Sequence, residues 1–405
     1  MEYQSDSGNG DRLYTGYQVV GGGMSVKDEL RNGLRSTRLR LGLSQQDLAT
    51  MAGVSRQTIS SVESGQAALS VTVALRLAKA LGCQVEDLFW LEPDLATLEA
   101  TPTATLPTGK PVPVSLVNVG EKWVAHPLVG NDAFRVELIP ADGEALRQPQ
   151  QDTLTVTLLD DPGNLANTVA VAGCAPALSL WAQAAERWHP GLRVHLSFAN
   201  STEALDRLAR GEVHIAGVHL YCPKTETFNL PFVQCALPHQ GAVLINLGIW
   251  DEGLLLAPGN PKGIQRITDL ARPDVVLVNR EPGAGSRELL DQALAAAKVS
   301  PQAVQGFDRV VFSHQAVAQA IAQGQADVGV SAASIATTYN LAFLPLRQSR
   351  YDLVTLKAYL EEPTVQQLLG TLSHRRVISQ IKRLGGYDTH LTGEVVATTH
   401  GDRLK

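Results

Sequence analysis

A chain of 405 residues with 44% hydrophobic and 18% charged residues can bury two or three cores and is not a disordered polymer. It contains no run of about 18 apolar residues, so no helical membrane span is predicted, and its polar start (MEYQSDSGNGDRLYTGYQ) lacks a signal-peptide core, which predicts a cytoplasmic protein. The net charge of −6 does not exclude nucleic acid, because residues 27–90 hold eight Lys/Arg against six Asp/Glu, leaving that stretch at +2 and the rest at −8.

Residues 1–26 read as a disordered tail. From Lys27 a helical pattern begins, with Leu30, Leu34 and Leu41 at helical spacing, and Gly42 ends it. Ser44 caps a second helix (QQDLATMA), and Gly53-Val54 turns into a third (SRQTISSVESG). Ser70 caps a fourth (VTVALRLAKALG), and VEDLFWL reads as a short fifth. Five short helices with a Gly turn between the second and third predict an all-α helix-turn-helix domain over residues 27–92.

The segments LSQQDLATMAGVSRQTISSVESG and LSVTVALRLAKALGCQVEDLF resemble the phage-repressor and Cro-like (XRE-type) helix-turn-helix family. The resemblance implies a core of Leu48, Ala49, Val54, Ile59, Val62 and Leu77. It implies a DNA-reading third helix carrying Ser55, Arg56, Gln57, Ser60 and Ser61, with Gln45 holding backbone phosphate. Arginine forks onto guanine and glutamine onto adenine, which suits Arg56 and Gln57 to base edges. Arg38 and Ser64 read either as phosphate contacts or as solvated surface. The implied partner is double-stranded operator DNA, bound as a homodimer or higher homo-oligomer on two half-sites.

Residues 93–110 (with TLEATPTATLPTGKPVP) read as a Pro/Thr-rich linker. Residues 111–160 read as a small β segment: VPVSLVNVGEKWVAHPL alternates as a hairpin across Gly120, and FRVELI and LTVTLL suggest further strands. Trp123 and His126 fit packing or surface better than a site.

From Thr168 the pattern changes to strand, turn, helix, repeated: TVAVAG into PALSLWAQAAERW, LRVHLSF into EALDRLARG, and VVLVNREPGAGSRELLD. AVLINLGIW and GLLLAPGNP form a β-rich middle, and an amphipathic PTVQQLLGTLSHRRVISQIKRL comes near the end. This alternation predicts an α/β architecture. Four junctions place small or hydroxyl residues at a helix start after a strand: Gly173-Cys174-Ala175, Ser201-Thr202, Gly285-Ser286 and Ser313. In open α/β sheets such junctions gather where ligands bind, and their free N–H groups suit an anion. An ordinary N-cap reads the same at any one of them.

The series VAGC–PAL, DRLARGEVHIAGVHL, APGNP, VNREPGAGSRELLD, SHQAVAQAIAQGQADVGV and FLPLRQSRYDLV resembles the periplasmic-binding-protein-like fold, more narrowly its molybdate-binding type. It covers about residues 165–365, within a two-lobed domain predicted over 165–395. The implied ligand set is Cys174, Ser201, Thr202, His219, Gly285, Ser286, Arg287 and Ser313. The family's Gly-Ser-Gly-Thr-Arg turn stands here as Gly283-Ala284-Gly285-Ser286-Arg287. Arg287 either clamps the anion or pairs with Glu281 or Glu288. Cys174 replaces a polar residue common in relatives, and a thiol is a poorer donor than a hydroxyl.

The cysteines Cys83, Cys174, Cys222 and Cys235 lie far apart and read as free thiols. His219 and Cys222, with Cys235, lack a fourth ligand, so no metal is expected. His314 reads as a helix-start residue with an option to face the cleft. Nucleotide-loop, nucleophile-elbow and zinc-protease motifs are absent, and GAGSRE lacks the last glycine of a dinucleotide fingerprint, so no enzyme and no cofactor is expected. The chain reads as a multidomain, ligand-responsive DNA-binding transcriptional regulator sensing a small anion, molybdate or a related oxyanion. The alternatives are a sensor of an organic anion and an enzyme with an autoregulatory DNA-binding domain.

Overall fold

The computed structural model of the protein describes residues 30–65, 69–91, 96–133, 138–148, 152–160 and 162–401. The predicted tail, residues 1–26, lies outside them. The chain divides into two compact units, Met1–Leu95 and Ala96–Lys405. Among the described residues no helix is long and apolar enough to cross a membrane.

The first unit contains β1 (Leu30–Asn32), α1 (Leu34–Arg40), α2 (Gln45–Ala52), α3 (Arg56–Glu63), α4 (Val71–Leu81) and β2 (Phe89–Leu91). Its helix boundaries follow local chemistry. Ser44 accepts from the Asp47 amide while Asp47 accepts from the Ser44 amide, a reciprocal cap for α2. Ser55 and Ser70 cap α3 and α4 one way, each hydroxyl accepting from the amide three residues on, of Thr58 and Val73. Gly53 and Gly82 end α2 and α4 at φ of 64° and 71°, a region glycine enters without a Cβ penalty. Leu34, Leu48, Ile59, Val62 and Leu77 close the core, and Val54 is half-buried at its edge.

Two expectations change here. The first helix starts at Leu34, because Leu30–Asn32 pairs antiparallel with Phe89–Leu91, and Gly33 donates its N–H to the Leu88 carbonyl. VEDLFWL is therefore a turn followed by a strand, not a fifth helix. Its Phe-Trp-Leu end favours extended backbone once a partner strand is present.

The second unit opens with a closed barrel of β3 (Thr97–Pro102), β4 (Val112–Val119), β5 (Lys122–Pro127), β6 (Gly143–Leu146) and β7 (Leu154–Leu158), in the order β3-β5-β4-β6-β7. The predicted 93–110 linker thus fails over Thr97–Pro102, which pairs antiparallel with β7 and parallel with β5. Threonine is a strand former, and the proline falls at the strand end, where no ladder bond is lost. The hairpin across Gly120 forms β4 and β5. Most of FRVELI (residues 134–137) lies outside the described residues. Buried Asp142 ties the barrel to the sheet beyond it, accepting from the Leu116 amide (2.8 Å), Ser115 Oγ (3.1 Å) and Arg193 Nη2 (2.5 Å).

After the short α5 (Pro162–Leu165), the first lobe holds β8 (Thr168–Gly173), α6 (Pro176–Trp188), β9 (Arg193–Phe198), α7 (Ser201–Ala209) and β10 (Ile215–Val218). A small hairpin, β11 (Tyr221–Cys222) and β12 (Thr227–Phe228), leads to α8 (Leu230–Ala236). The long strand β13 (Ala242–Leu256) then crosses to the second lobe. That lobe holds β14 (Leu277–Arg280), α9 (Gly285–Ala296), β15 (Val310–Val311), α10 (His314–Ala322), β16 (Val328–Ala332) and α11 (Ala333–Tyr339). The equally long β17 (Ala342–Leu356) returns antiparallel to β13.

The expected AVLINLGIW and GLLLAPGNP segments are therefore one strand. β8 pairs parallel with β9 and β10, and β14 with β15 and β16, on either side of the β13–β17 ribbon. Register shifts interrupt the ribbon at Asn246/Gly248 and Glu252/Gly253. A Cβ at Gly253 would stand 2.1 Å from the Leu344 carbonyl oxygen, so only glycine fits. The expected closing helix is two, α12 (Pro363–Gly370) and α13 (Arg375–Arg383), and β18 (Tyr387–Asp388) and β19 (Val395–Thr398) add to β13.

Candidate functional site

On the first unit, the family's reading positions form the outer side of α3. Arg56, Gln57 and Ser60 are exposed, Ser61 is half-buried, and Ser55 is engaged as the cap, accepting from the Thr58 amide at 3.0 Å. Ser64 is exposed and donates to the Ser61 carbonyl. Gln45 is half-buried and donates its amide to Glu63 at 2.9 Å.

Arg38 is not on a solvated face. Its guanidinium forks onto Glu63 (2.6 and 3.1 Å) and donates to the Leu43 carbonyl (2.8 Å), with side-chain exposures of 8% and 5% for the pair. It braces α1 against the end of α3. The guanidinium fork meets both carboxylate oxygens of Glu63, the geometry that makes an Arg–carboxylate pair strong.

In the second unit the strand–helix junctions meet between the lobes. Ser201 Oγ accepts the His219 amide at 3.1 Å. A Cβ on Gly285 would lie 2.3 Å from the His219 carbonyl oxygen, so a side chain there would force α9 away from the first lobe. Thr202 donates both its amide (3.3 Å) and its hydroxyl (3.2 Å) to the Gly283 carbonyl, latching lobe to lobe. Ser313 caps α10, accepting from the Ala316 amide at 2.9 Å, and lines a cavity of about 250 Å³ together with Cys174 and His314. Tyr351 accepts from the amides of Cys174 (3.2 Å) and Ala175 (3.4 Å) at the start of α6.

Through these residues runs a buried polar chain. The Ser286 hydroxyl donates to Glu252 Oε1 (2.6 Å), Glu252 Oε2 lies 3.3 Å from His219 Nδ1, and His219 Nε2 lies 3.4 Å from Cys174 Sγ. The His219 and Glu252 side chains are each 1% exposed. Burial alone would strip the charge from both. For His219 the Glu252 carboxylate, with help from Cys174, outweighs burial and raises the pKa to about 10. For Glu252 burial is outweighed by the His219 charge and hydrogen bond, with the Ser286 hydrogen bond adding to them, which holds it at about 2. The pair is thus an internal ion pair.

His314 is also buried, its Nδ1 bonded to Ser331 Oγ at 3.0 Å. Burial, with the Arg280 charge nearby, pushes its pKa well down, so it is neutral. Its Nε2 is buried and has no hydrogen-bond partner.

Arg287, read from the sequence as a clamp or a partner of Glu281 or Glu288, pairs with neither glutamate. It pairs with Asp291 (3.2 Å), donates to the Arg280 carbonyl and stacks over Phe307 (4.2 Å). The buried arginine of this unit, among the described residues, is Arg280, at the end of β14. It forks onto Glu281 (2.7 and 2.8 Å), while its Nη1 is buried without a partner. Sequence reading also passed over Glu252. The signal was present in both cases: charged residues inside otherwise apolar strands, IWDEGLLL and VVLVNRE. Cys222 and Cys235, considered beside His219, are respectively half-buried on β11 and exposed on α8, and all four cysteines are free. His219 meets Cys174 and His314 instead.

A second, larger cavity of about 930 Å³ opens where the barrel faces β9 and the start of α10, with His126, His195, Arg207, Phe198 and Phe312 among its walls.

Comparison with known proteins bears on both units. Residues 34–88 match the helix-turn-helix family and residues 182–373 the PBP superfamily domain. An uncharacterized HTH-type transcriptional regulator of Methanothermobacter thermautotrophicus is 44% identical over 66 residues, 16% of this chain and 96% of that protein. YvgK of Bacillus subtilis, also uncharacterized, is 35% identical over 202 residues. The match covers 50% of this chain, and the chain spans 65% of that protein's length. Among solved structures, an ABC-type phosphate transport receptor from Vibrio cholerae aligns at 14% identity and a TM-score of 0.38, over 54% of this chain and 98% of that one. The chain belongs to the HTH-type transcriptional regulators, with a PBP-like domain fused behind its XRE-type helix-turn-helix unit.

Proposed function

We propose that the protein is a cytoplasmic, ligand-responsive transcriptional regulator that binds operator DNA as a homodimer and carries a small-anion sensor between its two lobes. It acts by binding, not by catalysis. The observation that carries this reading is Arg280. A buried guanidinium with an N–H left unpaired costs about 1–3 kcal/mol, and an anion accepting that bond offsets the cost. Arg280 ends β14, on the side of the sheet where open α/β folds take their ligands. The unpartnered Nη1 favours an anion small enough to enter a closed cleft, and molybdate or a related oxyanion fits that description. On DNA, Arg56 and Gln57 read base edges, Ser55, Ser60 and Ser61 lie along the same helix, and Gln45 exchanges Glu63 for phosphate.

A specific observation favours a second reading. The 930 Å³ cavity is much larger than a tetrahedral oxyanion needs, and its aromatic and cationic walls suit an organic anion. Either ligand would shift the lobes toward closure by its differential affinity, and operator affinity would shift with it.

Isothermal titration of the full-length chain with molybdate, tungstate, sulfate, phosphate and an organic-acid panel, with and without operator, tests the reading. Arg280→Gln should weaken binding of the true ligand by at least tenfold, about 1.5–3 kcal/mol for one charge-assisted bond. An anion that binds the variant as it binds wild type would place its site elsewhere. Equal ligand affinity with and without operator would mean the two units are uncoupled, and the sensor reading would fail.

A further inference from the structure

We propose that Cys174, His219 and His314, brought together between the two lobes, bind one divalent transition-metal ion of the zinc class. One ligand atom from each of the three lies within 4.8 Å of the other two, and all three side chains are buried. The Cys174 Sγ to His219 Nε2 distance is 3.4 Å. Zinc–sulfur and zinc–nitrogen bonds of about 2.3 and 2.0–2.1 Å at a tetrahedral angle separate the two donors by about 3.5 Å. That edge therefore needs almost no adjustment. His314 would close in from the remaining side with its Nε2, an atom that is buried and lacks any partner.

The groups behind the ligands point the same way. His219 presents Nε2 because Glu252 engages its Nδ1, and His314 presents Nε2 because Ser331 engages its Nδ1. A carboxylate or hydroxyl behind a ligating imidazole fixes its ring and tautomer, and this arrangement recurs around protein-bound metals. Charge agrees as well: on binding, His219 Nε2 and the Cys174 thiol each give up a proton to solvent, and the divalent ion is then balanced by the Cys174 thiolate and the Glu252 carboxylate, so the buried site is neutral overall. One thiolate and two imidazoles select a borderline ion over magnesium or calcium. Cys174 and His314 also line the 250 Å³ cavity, which leaves a fourth position open on that side. The ligands come from both lobes, so the ion would clamp them together. This inference does not rest on the anion reading.

The test is a Co2+ titration of the full-length chain, reduced, stripped with chelator and free of oxyanions, followed by displacement with Zn2+. One cobalt per chain is expected, with a thiolate-to-cobalt absorption band that Zn2+ abolishes. Cys174→Ser should remove the band and His314→Gln should weaken binding at least tenfold, while Cys222→Ser and Cys235→Ser leave both intact. Glu252→Gln, at a positioning residue, should lower affinity about 10–100-fold with the band preserved. Circular dichroism of each metal-free variant separates lost ligands from lost fold. Absence of the band in reduced wild type, or a band that survives Cys174→Ser, overturns the proposal and leaves a plain thiol–imidazole contact. The anion titration is a separate measurement, so either reading can fail alone.

Discussion

Replacing Arg38 by alanine distinguishes a brace from a DNA contact. The change removes two bonds to Glu63 and one to the Leu43 carbonyl, and leaves the Glu63 carboxylate, 5% exposed in the intact pair, with only the Gln45 amide. Breaking a buried ion pair from one side costs about 3–5 kcal/mol. Gln45 remains and the pair lies in a small unit, so the lower end, about 3 kcal/mol, is expected. Amide hydrogen exchange of the α3 segment in the full-length chain reads this locally, and protection should fall on the order of a hundredfold. The pH dependence follows from Glu63. Burial would raise its pKa, but the Arg38 and Gln45 bonds and the Arg38 charge hold it below the ordinary glutamate value. Its contribution is complete above that ordinary value and is lost as pH falls through the depressed one, so wild type and variant should converge in acid. A lost phosphate contact would instead flatten the salt dependence of DNA binding by about 0.9 in log–log slope. A flatter slope with unchanged α3 protection would refute the brace.

Two further substitutions test the sites. Arg56→Ala and Gln57→Ala should each cost about 1–3 kcal/mol on operator and much less on random DNA, measured by competition binding; equal losses on both would remove them from base reading. Ser286→Ala removes a buried donor to Glu252 (2.6 Å) and should lower the stability of the second unit by about 1–3 kcal/mol in urea denaturation, with any ligand effect secondary. Unchanged stability with weakened ligand binding would return Ser286 to direct ligand contact.

The helix-turn-helix unit was legible because nearly every boundary carries its own local chemistry: Ser44, Ser55 and Ser70 at helix starts, Gly53 and Gly82 at two helix ends. What escaped were elements whose stability comes from distant partners. Leu30–Asn32 is a strand only because Phe89–Leu91 lies beside it, and Thr97–Pro102 only because β5 and β7 flank it. β13 read as two segments because Asp251 and Glu252 interrupt its apolar run, and the partners of Glu252 lie more than 30 residues away at His219 and Ser286. The junctions were legible as a group, since each is a local strand–turn–helix. Their chemistry was not: Ser201 and Ser286 bond to protein groups, Arg287 turns to Asp291, and Arg280 is buried.

The β13–β17 ribbon has a consequence for how this protein can be rebuilt. Ala242 and Leu356 are register partners, and Lys357 donates its amide to the Gly241 carbonyl at 2.8 Å. The chain therefore enters and leaves residues 242–356 through one doorway, and the whole second lobe hangs from it as an insert with adjoining ends. A graft or circular permutation made at this doorway keeps every pairing within the insert. A cut between the lobes severs two ladders at once. A one-residue deletion within either long strand would be worse, because the slip turns inward side chains outward along the rest of that strand. In this fold the transferable part is the lobe together with its ribbon.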